Sequence, residues 1–561
     1  MGPSLRGNRC KARRDNACEH RLAAVGIRRR KHWGWGYEDQ QPPAGDVRAT
    51  AATLAGHLGF PLGEVAQPVA LESVALAAPR IQAPPQLNEI CSAEVHARAS
   101  HALGKSYADV VDGFHGRFES PPDLVARPRD EAEVERLLEW CVHERVAAIP
   151  YGGGTSVVGG VTPRVPALCN GAVSIDLGAL DRMLEIDPVS RSARIQGGAC
   201  GPRLEAQLAE HGLTLRHFPQ SYELSTLGGW IATRAGGHFA TVRTHIEDFV
   251  ECVRALTPAG VWASRRLPGS GAGISPDRML AGSEGTLGII TEAWVRVQPR
   301  PAHRRAAAVR FEGFMRGAEC VRAISQSGLD PANCRLIEAR EARVTMAGDG
   351  THDLLVLGFE STDHPVDAAM ERALAICAAE GGVAEERGGG ARNDEAAGGD
   401  AVSSWRQAFL GAPYMRDVLV AMGVLSETFE TAITWERFPV FHERVTAAAE
   451  DAIREVCGEG GLLTTRFTHV YPDGPAVYFT VLAPARRGEE AGQWRAIKRA
   501  ASDAVIAEGG TITHHHAVGR DHRPWYDRQR PDPFAQALRA AKGAVDPAGV
   551  MNPGVLVDPE P

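Results

Sequence analysis

Nowhere in the 561 residues does an unbroken apolar run reach the roughly 18 residues that a membrane-crossing helix needs. An apolar leader core is missing as well. The first 32 residues are rich in arginine and read as a disordered basic tail rather than a targeting peptide. Eleven cysteines are scattered without a CxxC pair, the pattern of reduced thiols in a cytosolic compartment. Lysines are few, and the formal net charge of -8 argues against a general nucleic-acid binder. What is present is ordinary for a water-exposed globular chain: 44% apolar and 23% charged residues. The length exceeds what one compact core accommodates, so two or three domains are expected.

Periodicity supplies the next layer. Residues 49–58 and 66–79 read as helical or mixed. From "PPDLVARPRD" onward, a short strand, a helix with Val134, Leu137, Leu138 and Cys141 on one face, and a strand "VAAIP" lead straight into glycines. Strand and helix rhythms resume near residue 302. The strand "AVYFTVLAP" alternates and is expected to pair with 353–359 in an antiparallel sheet. The Gly/Ala/Asp-rich stretch 385–404 reads as a surface loop, and 409–429 as a helical wall.

Three glycine-rich segments carry the first chemical signal. In "PYGGGTSVVGG" (150–160), consecutive small residues let backbone N–H groups turn inward around an anion, and Thr155 and Ser156 add hydroxyls. A pyrophosphate cradle and a purely structural turn both satisfy that pattern. It is not GxGxxG, and no helix with a ribose-binding acid follows, which disfavours a nicotinamide site. "PQSYELSTLGGWIATRAGG" (219–237) and "AGSEGTLGIITEAWVRV" (281–297) repeat the theme, and three such segments suggest one long ligand lying across backbone edges.

With "HWGWGYED", "SETFETAITWERF" (426–438), "TRFTHVYPDGPAVYF" (465–479), "GGTITHHHAVGRDHRPWY" (509–526) and "VDPAGVMNPG" (545–554), the chain resembles the alkyldihydroxyacetonephosphate synthase family of the vanillyl-alcohol-oxidase/p-cresol-methylhydroxylase FAD-binding superfamily. The resemblance implies an α+β fold, with a split two-subdomain FAD-binding domain and an α/β cap domain built on an antiparallel sheet. It divides the chain into the tail 1–32, a mostly helical extension 33–116, the FAD domain 117–300, the cap 301–508, and a segment 509–561 that returns to the FAD domain. FAD is expected to be noncovalent, because no histidine or cysteine lies inside 150–160. The cofactor contacts implied are Pro150, Gly152, Gly153, Gly154, Thr155 and Ser156 in the first segment. Pro219, Ser221, Ser225, Thr226, Gly228, Gly229, Thr233, Arg234 and Gly236 follow in the second, and Glu284, Gly285, Gly288 and Ile290 in the third.

The triple histidine admits a metal site, a structural role or proton handling. In an extended segment, His514 and His516 would share one side and His515 the other, so a single strand could not offer all three to one metal. No acidic residue flanks the run either, and no metal is expected. The resemblance implies that His514, His515 and His516 handle protons with Tyr478 as general acid/base. It places Arg335 and Arg466 on the substrate's phosphate and carbonyl.

The activity implied is exchange of the acyl group of an acyl-dihydroxyacetone phosphate for a fatty alcohol through a flavin N5 adduct, a step of ether lipid synthesis. A lipid-like or small-molecule substrate, no nucleic acid, weak membrane-surface contact, a homodimer and a cytoplasmic location complete the expectation. The chain departs from the synthase pattern between Arg335 and residue 353 and around 385–405, where it is shorter or more polar. Those regions serve the lipid tunnel and membrane contact in the family. Their reduction favours the alternative, an FAD-linked oxidase or dehydrogenase of a D-2-hydroxy acid or related small alcohol.

Overall fold

A computed structural model describes residues 28–385 and 401–558. Residues 1–27 of the expected tail and 386–400 of the expected surface loop lie outside them. Residues 28–32 correct the tail reading: Arg30 donates to the carbonyl oxygens of Gly152, at 3.1 Å, and Gly153. Lys31 forms a buried ion pair with Asp417 at 3.2 Å. Of the extension, Ala44–Leu58 is helical, whereas 66–79 contains only the short turn Leu71–Ser73.

The glycine segments sit on two sheets. In the first, Leu124–Ala126 and Val146–Tyr151 both run parallel to Gly171–Asp176, the strand between them. The helix Glu131–Glu144 covers this sheet because Val134, Leu137, Leu138 and Cys141 recur on its inner face, and all four are buried. Asp130 caps its first turn by accepting from Glu133 N–H at 2.9 Å. The second sheet is antiparallel and joins Met183–Asp187, Ser192–Gln196, Ile289–Arg296, Val250–Thr257 and Gly260–Ala263. The chain end returns to the first sheet: the Ala148 N–H donates to the Val550 carbonyl at 2.8 Å, and the Ala148 carbonyl accepts from the Asn552 N–H at 2.9 Å.

The cap is a seven-stranded sheet. His303–Phe311, Asp353–Ser361, Asn333–Ile337, Leu462–Tyr471, Gly474–Pro484 and Val424–Ala432 follow one another antiparallel, with Val383–Ala384 at the near edge. Residues 353–359 and 476–484 therefore share the sheet without being neighbours, since two strands separate them. Leu357, Phe467, Phe479 and Val481 are fully buried, and each such side chain contributes about 1.5–3 kcal/mol of transfer free energy. The helical wall is Ala401–Met422, which ends at Gly423 (φ 76°), and a strand begins at Val424. Among the described residues no helix is long and apolar enough to cross a membrane.

Candidate active site

The strand Val146–Tyr151 delivers the chain into Gly152–Ser156, the wall of a cavity of about 780 Å³. The fit here is tight. A Cβ on Gly153 would lie 2.3 Å from the Leu224 carbonyl oxygen, and one on Gly152 would lie 2.3 Å from Thr226 Oγ1. Gly154 and Gly285 adopt φ of 66° and 76°, conformations that favour glycine. Among the described residues, the backbone N–H groups of Gly153, Gly154, Thr155 and Ser156 find no protein acceptor, although these residues line the cavity. Arg30 accounts for part of this. It holds the carbonyls of Gly152 and Gly153, and in a trans peptide the following N–H points the opposite way. Buried amides seldom stay unpaired, so this row of donors fits the pyrophosphate of FAD.

The fourteen further expected contacts fall into two groups. Pro150, Pro219, Ser221, Ser225, Thr226, Gly228, Gly229, Thr233, Gly236, Glu284, Gly285, Gly288 and Ile290 line the cavity, together with the cradle residues. Some of their polar atoms are already engaged. Thr226 caps the helix Leu227–Thr233 by accepting from Gly229 N–H, and Thr233 donates to the Gly229 carbonyl. Glu284 accepts from the amides of Val518 and Gly519 at 2.9 and 2.8 Å, while burial raises its carboxyl to about 7. Arg234 is the exception and corrects the expectation. The helix ends on it at φ 52°, which turns its guanidinium outward onto Glu247 at 2.8 Å.

The cap supplies the opposite wall. Tyr478 and Arg466 face each other across neighbouring strands, with the guanidinium 3.8 Å from the ring centroid. Burial raises the Tyr478 phenol above its usual range. Arg466 lines the cavity, but it forms a buried ion pair with Glu341, which matches its charge. Arg335 also lines the cavity and donates to the His238 carbonyl at 3.2 Å; burial, then Arg466, lowers it to about 10. Two further cations reach the same space. Lys105 and Arg416 line it, Arg416 donates to the Lys105 carbonyl at 2.7 Å, and among the described residues neither has a carboxylate within 4 Å. Burial lowers the Lys105 amine to about 8.

The histidine run is a bent loop segment and not a strand, so the alternation argument does not apply. His515 and His516 both line the cavity, and His514 lies behind them against Tyr471. The acidic partner absent from the flanking sequence comes from the strand Val424–Ala432. Glu430 accepts from Thr513 Oγ1 and from the amides of His514, His515 and His516 at 2.6–3.1 Å. Burial opposes its charge, but the facing imidazoles and the Thr513 hydroxyl hold it well below the usual carboxylate range. Burial lowers His515 to about 3 and His516 to about 4. His469, His514 and His515 each place a nitrogen within 4.8 Å of the others, close enough for a metal. However, His469 Nε2 already donates to the Gly237 carbonyl at 3.1 Å, and the Nδ1 atoms of His514 and His515 bond each other.

Comparison with known proteins agrees with this architecture. The model for the C-terminal domain of FAD linked oxidases matches residues 300–556, and that for the FAD binding domain matches 122–264. The alkyldihydroxyacetonephosphate synthase of Caenorhabditis elegans is 30% identical, over 94% of this chain and 94% of its own length. The chain belongs to the alkyldihydroxyacetonephosphate synthase family. The synthase of Trypanosoma brucei brucei is 28% identical over 83% of the chain and 78% of its own length. The glycolate oxidase subunit GlcD of Bacillus subtilis is 26% identical over 78% and 90%. A solved alkyldihydroxyacetonephosphate synthase superposes with a TM-score of 0.75 at 24% identity, over 93% of this chain and 97% of that one. The fold is that of the synthase family and, more distantly, of p-cresol methylhydroxylase, at TM-score 0.65 and 16% identity.

The cavity also has an apolar arm. Trp35, Leu54, Val344, Met415, Leu419 and Leu482 line it, and Met346, 67% exposed, stands at its mouth. No local pattern marks Lys105, Arg416, Glu430 or Leu54 as members of this site. Only the triad of like residues at 514–516 and the glycine segments stood out locally.

Proposed function

We propose that this protein exchanges the acyl group of an acyl-dihydroxyacetone phosphate for a fatty alcohol, forming the ether bond of an ether lipid precursor. One observation carries the reading: a single chamber joins the FAD cradle, a cluster of cations and imidazoles, and an apolar arm. FAD, when bound in the cradle, supplies electrophilic chemistry that leaves no net change of redox state. The remaining tasks fall to the chain. Arg416 and Lys105, neither of them in an ion pair with a carboxylate among the described residues, hold the phosphate. Arg335 and Arg466 present charge to the carbonyl region, with Arg466 fixed in place by Glu341. His515 and Tyr478 move the proton at C1. The apolar arm receives the chains of the leaving acid and the entering alcohol, and keeps water from the reacting carbon.

The same arm disfavours a small D-2-hydroxy acid, which would leave it unfilled. Met346 at the mouth supports weak contact with a membrane surface, from which both lipids would enter. Nine unpaired cysteines among the described residues fit the cytoplasmic location that belongs to this reading. The homodimer rests on the resemblance alone.

The test is a product assay on the holoenzyme with palmitoyl-dihydroxyacetone phosphate and radiolabelled hexadecanol. Labelled alkyl-dihydroxyacetone phosphate with one palmitate released per ether is expected. Absence of the ether, together with dye reduction by D-lactate or another D-2-hydroxy acid, would establish the oxidoreductase instead.

A further inference from the structure

The hydrogen bonds behind His515 have one consistent direction. His245 Nε2 lies 3.0 Å from the carbonyl oxygen of His514. A carbonyl only accepts, so this nitrogen carries a hydrogen. With His245 neutral, its Nδ1 is a bare acceptor, and the Thr244 hydroxyl donates to it at 3.0 Å. Thr244 has a single hydroxyl hydrogen, so its oxygen accepts from the Tyr471 hydroxyl at 2.9 Å. Tyr471 in turn accepts from His514 Nε2–H at 2.6 Å. That leaves His514 Nδ1 to accept from His515 Nδ1–H at 3.1 Å. Glu430 agrees from the other end, because its carboxylate is 3.4 Å from His515 Nδ1 and favours a hydrogen there. His515 Nε2 is therefore a lone pair, left for the cavity that His515 lines.

We propose that His514, Tyr471, Thr244 and His245 form a proton relay that carries the proton taken up by His515 out of the cavity to His245, and returns it. The relay rests on the ether-exchange reading for its substrate. The C1–H bond breaks, its electron pair stays on C1 in conjugation with the neighbouring carbonyl, and the proton joins His515 Nε2. His515 Nδ1–H passes to His514 Nδ1, His514 Nε2–H to the Tyr471 oxygen, the Tyr471 hydrogen to Thr244, and the Thr244 hydrogen to His245 Nδ1. Every group ends neutral except His245, which holds the positive charge. Reversal delivers the same proton to C1 in the product.

The surroundings suit that division. Burial holds His515 down to about 3, so a charge resting there is costly, whereas His245 is only partly buried. Its backbone N–H donates to the Asp248 carboxylate at 3.1 Å, and its ring interacts electrostatically with Glu247. Tyr471 is pushed above its usual range by burial, so it stays a phenol able to donate and accept at once. The other ionisable groups facing the relay are Glu247 and His217 beside His245, Glu430, His516 and Arg466 beside His515, Arg234, and His469, whose ring lies 6.2 Å from that of His245.

The test uses Tyr471→Phe, Thr244→Val and His245→Gln in the holoenzyme. His245→Gln keeps a donor to His514 and an acceptor for Thr244, but it cannot store a proton. Each variant is expected to lose roughly 10²-fold in kcat at unchanged KM. The acidic limb of the pH profile should shift in parallel. A separate readout needs no turnover: in ¹⁵N-histidine-labelled wild type, His514 is expected as the Nε2–H form and His515 as the Nδ1–H form, with Tyr471→Phe releasing His514 into a mixture. Wild-type kcat and pH profile in Tyr471→Phe, or the opposite tautomers in the wild type, would overturn the relay. Should one variant lose its flavin or fold, the other two carry the test. If the wild type makes no ether, the functional reading fails, and the tautomers still decide the relay.

Discussion

The carboxylate of Glu430 lies 3.4 Å from Nδ1 of His515 and accepts that residue's own backbone N–H at 3.1 Å. One buried acid from the cap thus shapes a loop from the chain's last sixty residues and sets the hydrogen positions of the imidazole facing the substrate.

Replacing Glu430 by Gln removes the anion while keeping one acceptor. The loop amides lose charge-assisted bonds, so stability falls by about 1–3 kcal/mol. Activity falls further, because His515 is no longer biased toward Nδ1–H. Denaturant titration and kcat measured on the same preparation check both effects.

Acid sensitivity follows from the buried imidazoles. Burial lowers His217 and His515 to about 3 and His442 and His516 to about 4. The unfolded chain binds these protons near pH 6.5 and the native one only well below it. Stability is therefore fully present above about pH 6.5 and declines as pH falls, by about 1.4 kcal/mol per pH unit for each such group. Thermal melts between pH 7.5 and 5 are expected to show a falling Tm; a flat profile would contradict these burial shifts.

The cavity cations separate into two kinds. Arg416→Met and Lys105→Met remove cations that form no ion pair among the described residues, and each is expected to raise KM for the phosphorylated substrate roughly 10- to 100-fold with FAD retained. Arg466→Met instead leaves Glu341 buried without its partner, at a cost of about 3–5 kcal/mol. Steady-state kinetics and melting curves across the three variants distinguish the roles.

Gly153→Ala probes the cradle. The added methyl would lie 2.3 Å from the Leu224 carbonyl oxygen and 2.7 Å from Ser225 Cα, both backbone atoms. The loop must move, and the row of amides moves with it. Flavin content, read as the ratio of visible to ultraviolet absorbance, is expected to drop sharply while the cap strands remain folded.

Local sequence made the glycine segments legible, because close backbone approach and positive φ leave few residue types able to serve. The cap strands were legible for a similar reason, since alternation survives burial of one face. Arg416 was not: it sits next to Asp417, which reads locally as its partner, and only the packing of Ala401–Met422 brings it beside Lys105. Glu430 sits about 84 residues from the histidines it governs, and nothing short of the sheet order joins them. Arg234 misled for the opposite reason, since its glycine-rich setting is shared with true lining residues while the helix end turns it outward.

The most direct test of the central claim is the visible spectrum of the holoenzyme mixed anaerobically with palmitoyl-dihydroxyacetone phosphate. A chamber built for ether exchange predicts that the flavin band bleaches and then recovers when hexadecanol is added, with no electron acceptor present. A spectrum that stays unchanged with this substrate, or that bleaches with a D-2-hydroxy acid and recovers only with an oxidant, would contradict it.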